Sequence, residues 1–155
     1  MPHHHKEEAD TLMILHAAEV ARSGFVVHIY SQDTDVLLLA LRTVPELGSK
    51  AALIIGSGQR RHKIMLKPIY EKLRPEKSAA LINWHSLTGC DTTGHIQQKG
   101  KRGCFTAFDA RPAVVAAIAD LGVGAEPSAE VVRGYEEFLC APFSPKYLQT
   151  AHHTG

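Results

Sequence analysis

Apolar positions along this chain follow two rhythms. From about Glu7, the residues Leu12, Ile14, Leu15, Ala18 and Ala21 recur at spacings that form one stripe of a helix, and Gly24 is its natural stop. The next run, Phe25–Tyr30, is almost continuously apolar, which predicts a central parallel strand covered on both faces. A short polar segment, Ser31-Gln32-Asp33-Thr34-Asp35, leads into Val36–Leu41. That run is too continuously apolar for an exposed helix, so a buried helix ending before Pro45 is expected, followed by a loop at Leu47-Gly48-Ser49. Ala51–Ile55 reads as a second strand, Gly56-Ser57-Gly58 as a turn, and Arg60–Leu66 as the returning arm of a hairpin.

The rhythm then becomes helical. Pro68–Leu73 predicts a short helix stopping before Pro75, and a second helix opens at Pro75 and runs through Ala80, Leu81, Trp84 and Leu87. Trp84 is expected in the core. Thr88–Gly94 reads as a sharp loop, with glycines on either side of Asp91. Helical segments follow over Ala107–Ala110, Ala113–Leu121 and, from an N-cap at Ser128, Val132–Leu139. Strand, helix and strand succeeded by helices predict an α/β fold with a mostly parallel sheet, flanking helices and a helical C-terminal part.

Composition narrows the class. The 155 residues fit one domain over 1–150, with tails at 1–6 and 146–155. With 45% hydrophobic and 21% charged residues the chain is an ordinary globular one with a real core. The net charge of +1 supplies no global field for nucleic acid, so such an attraction must come from a local patch. No apolar run reaches the roughly 18 residues a membrane span needs, and no signal peptide is expected at the N-terminus. Cys90, Cys104 and Cys140 are odd in number and lack CxxC spacing, which points to free thiols in a reducing, intracellular compartment. His3-His4-His5 is read as a flexible tail able to take up a transition metal weakly.

Two groups of residues carry candidate chemistry. Asp33 and Asp35 stand where a buried strand ends and a helix begins, and the carboxyl ends of strands are where open α/β sheets bind ligands. Two carboxylates there repel one another unless a cation or a shared proton offsets the charge, and Mg²⁺ prefers oxygen ligands of this kind. The simpler reading is that Asp33 or Thr34 caps the next helix. Glu7, Glu8 and Asp10 are expected in the first turn of the first helix, where acidic residues complement its dipole and where fraying would let Glu8 and Asp10 reach one ion. The second group is Gly94–Gly103, where Lys99, Lys101 and Arg102 combine charge with glycine flexibility suited to a phosphate backbone. Arg60, Arg61 and Lys63 form a further positive set without a motif. Gly56-Ser57-Gly58 lacks the pattern of a phosphate-binding loop.

Three acidic clusters in this order resemble the flap-endonuclease (XPG-type) branch of the PIN-like nuclease superfamily. Glu7-Glu8-Ala9-Asp10 resembles that family's Glu-Ala-Glu-Ala helix start, Asp33-Thr34-Asp35 its Glu-Asp-x-Asp motif after a core strand, and Leu87-Thr88-Gly89-Cys90-Asp91 its Leu-Gly-Ser-Asp-Tyr motif. Gly94–Gly103 is similar to the family's helix–two-turn–helix element, and the wording around the three motifs is similar to animal PIN-like proteins related to mobile elements. The match covers about residues 6–110. The resemblance implies a partial three-layer PIN-like fold and a structure-selective nuclease using two Mg²⁺ or Mn²⁺ ions when the domain is complete. By motif, Glu8, Asp10, Asp33, Asp35 and Asp91 carry over as metal ligands, with Asp33, Asp35 and Asp91 at the catalytic centre. Lys99, Lys101 and Arg102 carry over as contacts to the backbone of branched or duplex DNA, which implies a nuclear setting and no membrane.

The family's first metal aspartates come from an earlier strand, so the resemblance implies that the site is incomplete in this chain. Cys90 and Thr92 also stand where the family has Ser and Tyr. Two alternatives follow: a degenerate, non-cutting module that binds nucleic acid or a protein, and a phosphohydrolase or phosphotransferase with Asp33 as nucleophile.

Overall fold

The computed structural model describes residues 3–89, 101–121, 124 and 126–140, with side-chain detail lacking for residues 3–8, 101, 139 and 140. Its described elements run α1 (His3–Arg22), β1 (His28–Tyr30), α2 (Thr34–Arg42), α3 (Val44–Leu47), β2 (Ala52–Ile55), β3 (His62–Met65), α4 (Leu66–Leu87), α5 (Lys101–Asp109), α6 (Pro112–Ala119) and α7 (Ala129–Cys140). This is an α/β fold, as the apolar pattern predicts. Two compact units divide the chain, Met1–Ile82 and Asn83–Gly155, and the division falls within α4.

The first unit is built on a three-stranded sheet in the order β1-β2-β3. β1 pairs with β2 in parallel, Ile29 opposite Leu53, and α2 and α3 supply the crossover that parallel strands require. β2 pairs with β3 antiparallel, Leu53 opposite Ile64. The sheet is therefore mixed, not mostly parallel, because the Gly56–Gly58 turn returns the chain directly as a hairpin. One face carries Ile29, Leu53 and Ile64, which pack with Ile14, Ala17 and Ala18 of α1, Val36, Ala40 and Leu41 of α2, Val44 and Leu47 of α3, and Leu66 of α4. Each large side chain removed from water here contributes roughly 1.5–3 kcal/mol.

β1 departs from its expected place. It is an edge strand of three residues, with only Ile29 of His28–Tyr30 buried. Phe25 and Val26 lie outside it and are 67% and 56% exposed. Continuous apolarity marks a segment that could be covered on both sides, but it does not show that both sides are covered. The α1 stripe is also narrower than its pattern suggests: Ile14, Ala17 and Ala18 are buried, whereas Leu12 and Leu15 face solvent.

α4 bends where Pro75 removes a backbone donor and denies the helical conformation to the residue before it. Arg74 accordingly sits at φ 68°, ψ 159°. This break separates the two predicted helices.

In the second unit, Trp84 is buried against two aromatic side chains of α5. Its ring lies edge-on to Phe105 at 5.4 Å and tilted against Phe108 at 6.0 Å, the core role expected of it. The Asn83 side-chain amide donates to the carbonyls of Ile118 (2.8 Å) and Leu121 (3.1 Å), satisfying acceptors at the C-terminal end of α6. α6 packs on α5 and on α7, whose start is capped as predicted: the Val131 N–H donates to Ser128 Oγ at 3.3 Å. The Cys104 side chain is buried.

Candidate metal site and basic rim

The carboxylate pair sits where the hydrophobic pattern changes period. β1 ends at Tyr30, and the Ser31 N–H still donates to the Ile54 carbonyl of β2 at 3.2 Å. The chain then turns: the Asp33 N–H donates to Ser31 Oγ at 3.1 Å, and Asp33 adopts an extended conformation (φ −85°, ψ 130°). Its Oδ1 accepts the Asp35 N–H at 3.1 Å, while its carbonyl accepts from Leu37 N–H at 3.3 Å. Asp33 is thus the N-cap of α2, and Asp35 lies in the first turn, where the helix dipole favours negative charge. Both aspartates are half-buried. The simpler reading of Asp33 is therefore correct as far as it goes. One carboxylate oxygen caps the helix, and the same turn places both aspartates where β1 gives way to α2.

The other predicted ligands fare differently. α1 begins at His3, not near Glu7, so the three histidines belong to a helix and Glu8 and Asp10 lie well inside it instead of in its first turn. Asp10 is half-buried. Asp91 lies outside the described residues. The segment leading to it is described: the Thr88 hydroxyl donates to the Trp84 carbonyl at 2.9 Å, and Gly89, at φ 100°, ends α4 in a conformation suited to glycine. Among the described residues no three His, Cys, Asp or Glu side chains gather to hold a metal ion.

Two hard carboxylates at the end of a strand suit Mg²⁺ or Mn²⁺ in donor type, and they would hold such an ion only with further oxygen ligands.

The basic glycine segment is partly redrawn. Lys101 and Arg102 are not in a loop but open α5, and Arg102 is exposed. Lys99 lies outside the described residues. The other positive set has acquired a definite setting. The hairpin between β2 and β3 contains a 3₁₀ turn over Gly58–Arg60, and Arg60, Arg61, His62 and Lys63 are all exposed. The Arg61 guanidinium lies 5.6 Å from the centre of the Tyr30 ring. Gly56 makes the turn possible: its φ of 77° suits glycine, and an added Cβ would collide with the Arg60 carbonyl. The run of cations is plain in the sequence, but its pairing with Tyr30 depends on strand register and has no local signature.

Comparison with family models, curated proteins and solved structures finds no match for this chain. No helix among the described residues is long and apolar enough to cross a membrane.

Proposed function

We propose that this chain carries part of a PIN-like, flap-endonuclease-type domain whose activity is Mg²⁺- or Mn²⁺-dependent hydrolysis of phosphodiester bonds in branched or duplex DNA. The observation that carries the reading is the Asp33–Asp35 pair, two half-buried carboxylates at the carboxyl end of β1 and the start of α2. Hard carboxylate oxygens of this kind are the donors that Mg²⁺ and Mn²⁺ prefer. Asp33 and Asp35 would hold the ion; Asp91 is added by the motif alone. Bound divalent ions supply an activated water and neutralise charge on the phosphate under attack. The chain's own residues have simpler tasks. Ser31 holds the turn through the Asp33 N–H, the start of α2 engages the Asp33 carboxylate, and Lys99, Lys101 and Arg102 would hold the non-scissile backbone.

A second reading is a module of the same fold that binds without cutting. It is favoured by the described residues, among which no three His, Cys, Asp or Glu side chains gather to hold a metal ion. One assay separates the two. The full chain is incubated with flap and hairpin DNA in Mn²⁺, alongside Asp33→Asn. Cleavage by the wild type that the variant lacks supports the nuclease. Binding without cleavage in both supports the second reading.

A further inference from the structure

We propose a second nucleic-acid site on this protein, a metal-independent platform for single-stranded nucleic acid formed by Tyr30, the Arg60-Arg61 turn and Lys63. It extends the reading above in naming a substrate class, but stands on different residues.

Charge is the first observation. Although the chain as a whole is nearly neutral, no Asp or Glu occurs between Glu46 and Glu71, while Lys50, Arg60, Arg61, Lys63 and Lys67 all do. The fold concentrates part of this excess. β-sheet pairing sets Tyr30 opposite Ile54 and Ile54 opposite Lys63, so Tyr30 and Lys63 share one face of the sheet, on either side of a buried isoleucine. His28, two residues before Tyr30 and exposed, lies on that same face. The face therefore presents an aromatic edge strand and a cationic one about 10 Å away, with arginines at the connecting turn.

Exposure is the second observation. Tyr30 is 61% exposed even with the Arg61 guanidinium over its ring. An exposed aromatic ring beside exposed cations matches what a single strand offers: unstacked bases for the ring and regularly spaced phosphates for the cations. A duplex keeps its bases stacked and offers only its phosphates. An acidic peptide would use the cations but have no use for the ring. Charge complementarity together with the ring selects the single strand. Asp33 and Asp35 follow Tyr30 directly and repel phosphate, so the strand is expected to run from Tyr30 toward β3 and away from them.

The test is fluorescence anisotropy of a labelled oligothymidylate of about a dozen nucleotides, a length within the range of known single-strand sites, titrated with the full chain in EDTA. Saturable binding is expected, weakened about tenfold by Tyr30→Ala with an unchanged salt slope, and retained by Tyr30→Phe. Joint replacement of Arg60, Arg61 and Lys63 by alanine is expected to flatten the salt slope by about 2, at roughly 0.7 per lost single-strand phosphate contact. Asp33→Asn should leave this binding intact, so the platform and the metal site can fail separately. Tyr30, Arg60, Arg61 and Lys63 are exposed, and unchanged thermal melts would show that the variants fold. The proposal is overturned if Tyr30→Ala binds as wild type does, if the triple variant keeps the full slope, if a hairpin duplex binds as tightly as the single strand, or if polyglutamate of equal charge displaces the oligonucleotide.

Discussion

Asp33 has two separable tasks, and substitution can separate them. Its carboxylate caps α2 through the 3.1 Å bond from the Asp35 N–H, and it contributes one of two like charges at the sheet's rim. Asp33→Ala deletes the cap, which costs about 1 kcal/mol in typical helices. For a chain of this length that lowers Tm by roughly 2–4 °C. Asparagine caps as well as aspartate does, and it removes the charge. Asp33→Asn keeps the cap and forgoes only a helix-dipole interaction of roughly 0.3–1 kcal/mol, which Asp33→Ala loses in addition to the cap. The expected order in metal-free thermal melts is therefore wild type and Asp33→Asn close together, with Asp33→Ala clearly below. Urea titration gives the same comparison at constant temperature. Equal destabilisation by Asn and Ala would refute the cap, since it would show that the ionised carboxylate, not its hydrogen bond, stabilises the turn.

Three further outcomes follow from packing and charge. Gly134 is buried where α6 and α7 touch, and a methyl there would overlap Ala117, so Gly134→Ala should destabilise by about 1–2 kcal/mol net of its better helix propensity, with Ala117→Gly restoring part of the loss; a more stable single variant would contradict the contact. Arg74→Gly should raise stability by about 1 kcal/mol, because φ 68° with ψ 159° is a conformation open essentially to glycine alone, and an unchanged or lower Tm would argue against the strain. Joint replacement of Lys99 and Lys101 by alanine should weaken duplex binding and flatten its salt slope by about 0.9 per lost contact, whereas an unchanged slope would mean that neither lysine meets a phosphate.

The elements with strong local punctuation were readable in advance. Gly24, Gly56-Ser57-Gly58, Pro75 and Ser128 each impose a backbone conformation or a cap within a few residues, and each marks the predicted boundary or turn. The buried helix α2 followed from an apolar run with no polar face. The place of β1 in the sheet was not readable, because edge or centre depends on which strands lie beside it, not on its own six apolar-rich residues. The start of α1 at His3 has no local signal for a related reason: histidines and acidic residues carry no apolar rhythm, so the pattern gives no sign of helix before Glu7. Of the candidate site, the position of Asp33 and Asp35 was legible from the strand-to-helix switch. The pairing of Tyr30 with Arg61 was not, since it joins residues from two strands by register alone.

The account rests on Asp33 and Asp35 holding a divalent cation, and isothermal titration with Mn²⁺ tests that most directly. Wild-type chain should show saturable heat that disappears when both residues are changed to asparagine, substitutions that preserve the α2 cap and the fold. Equal heats from wild type and the doubly substituted chain would contradict the account.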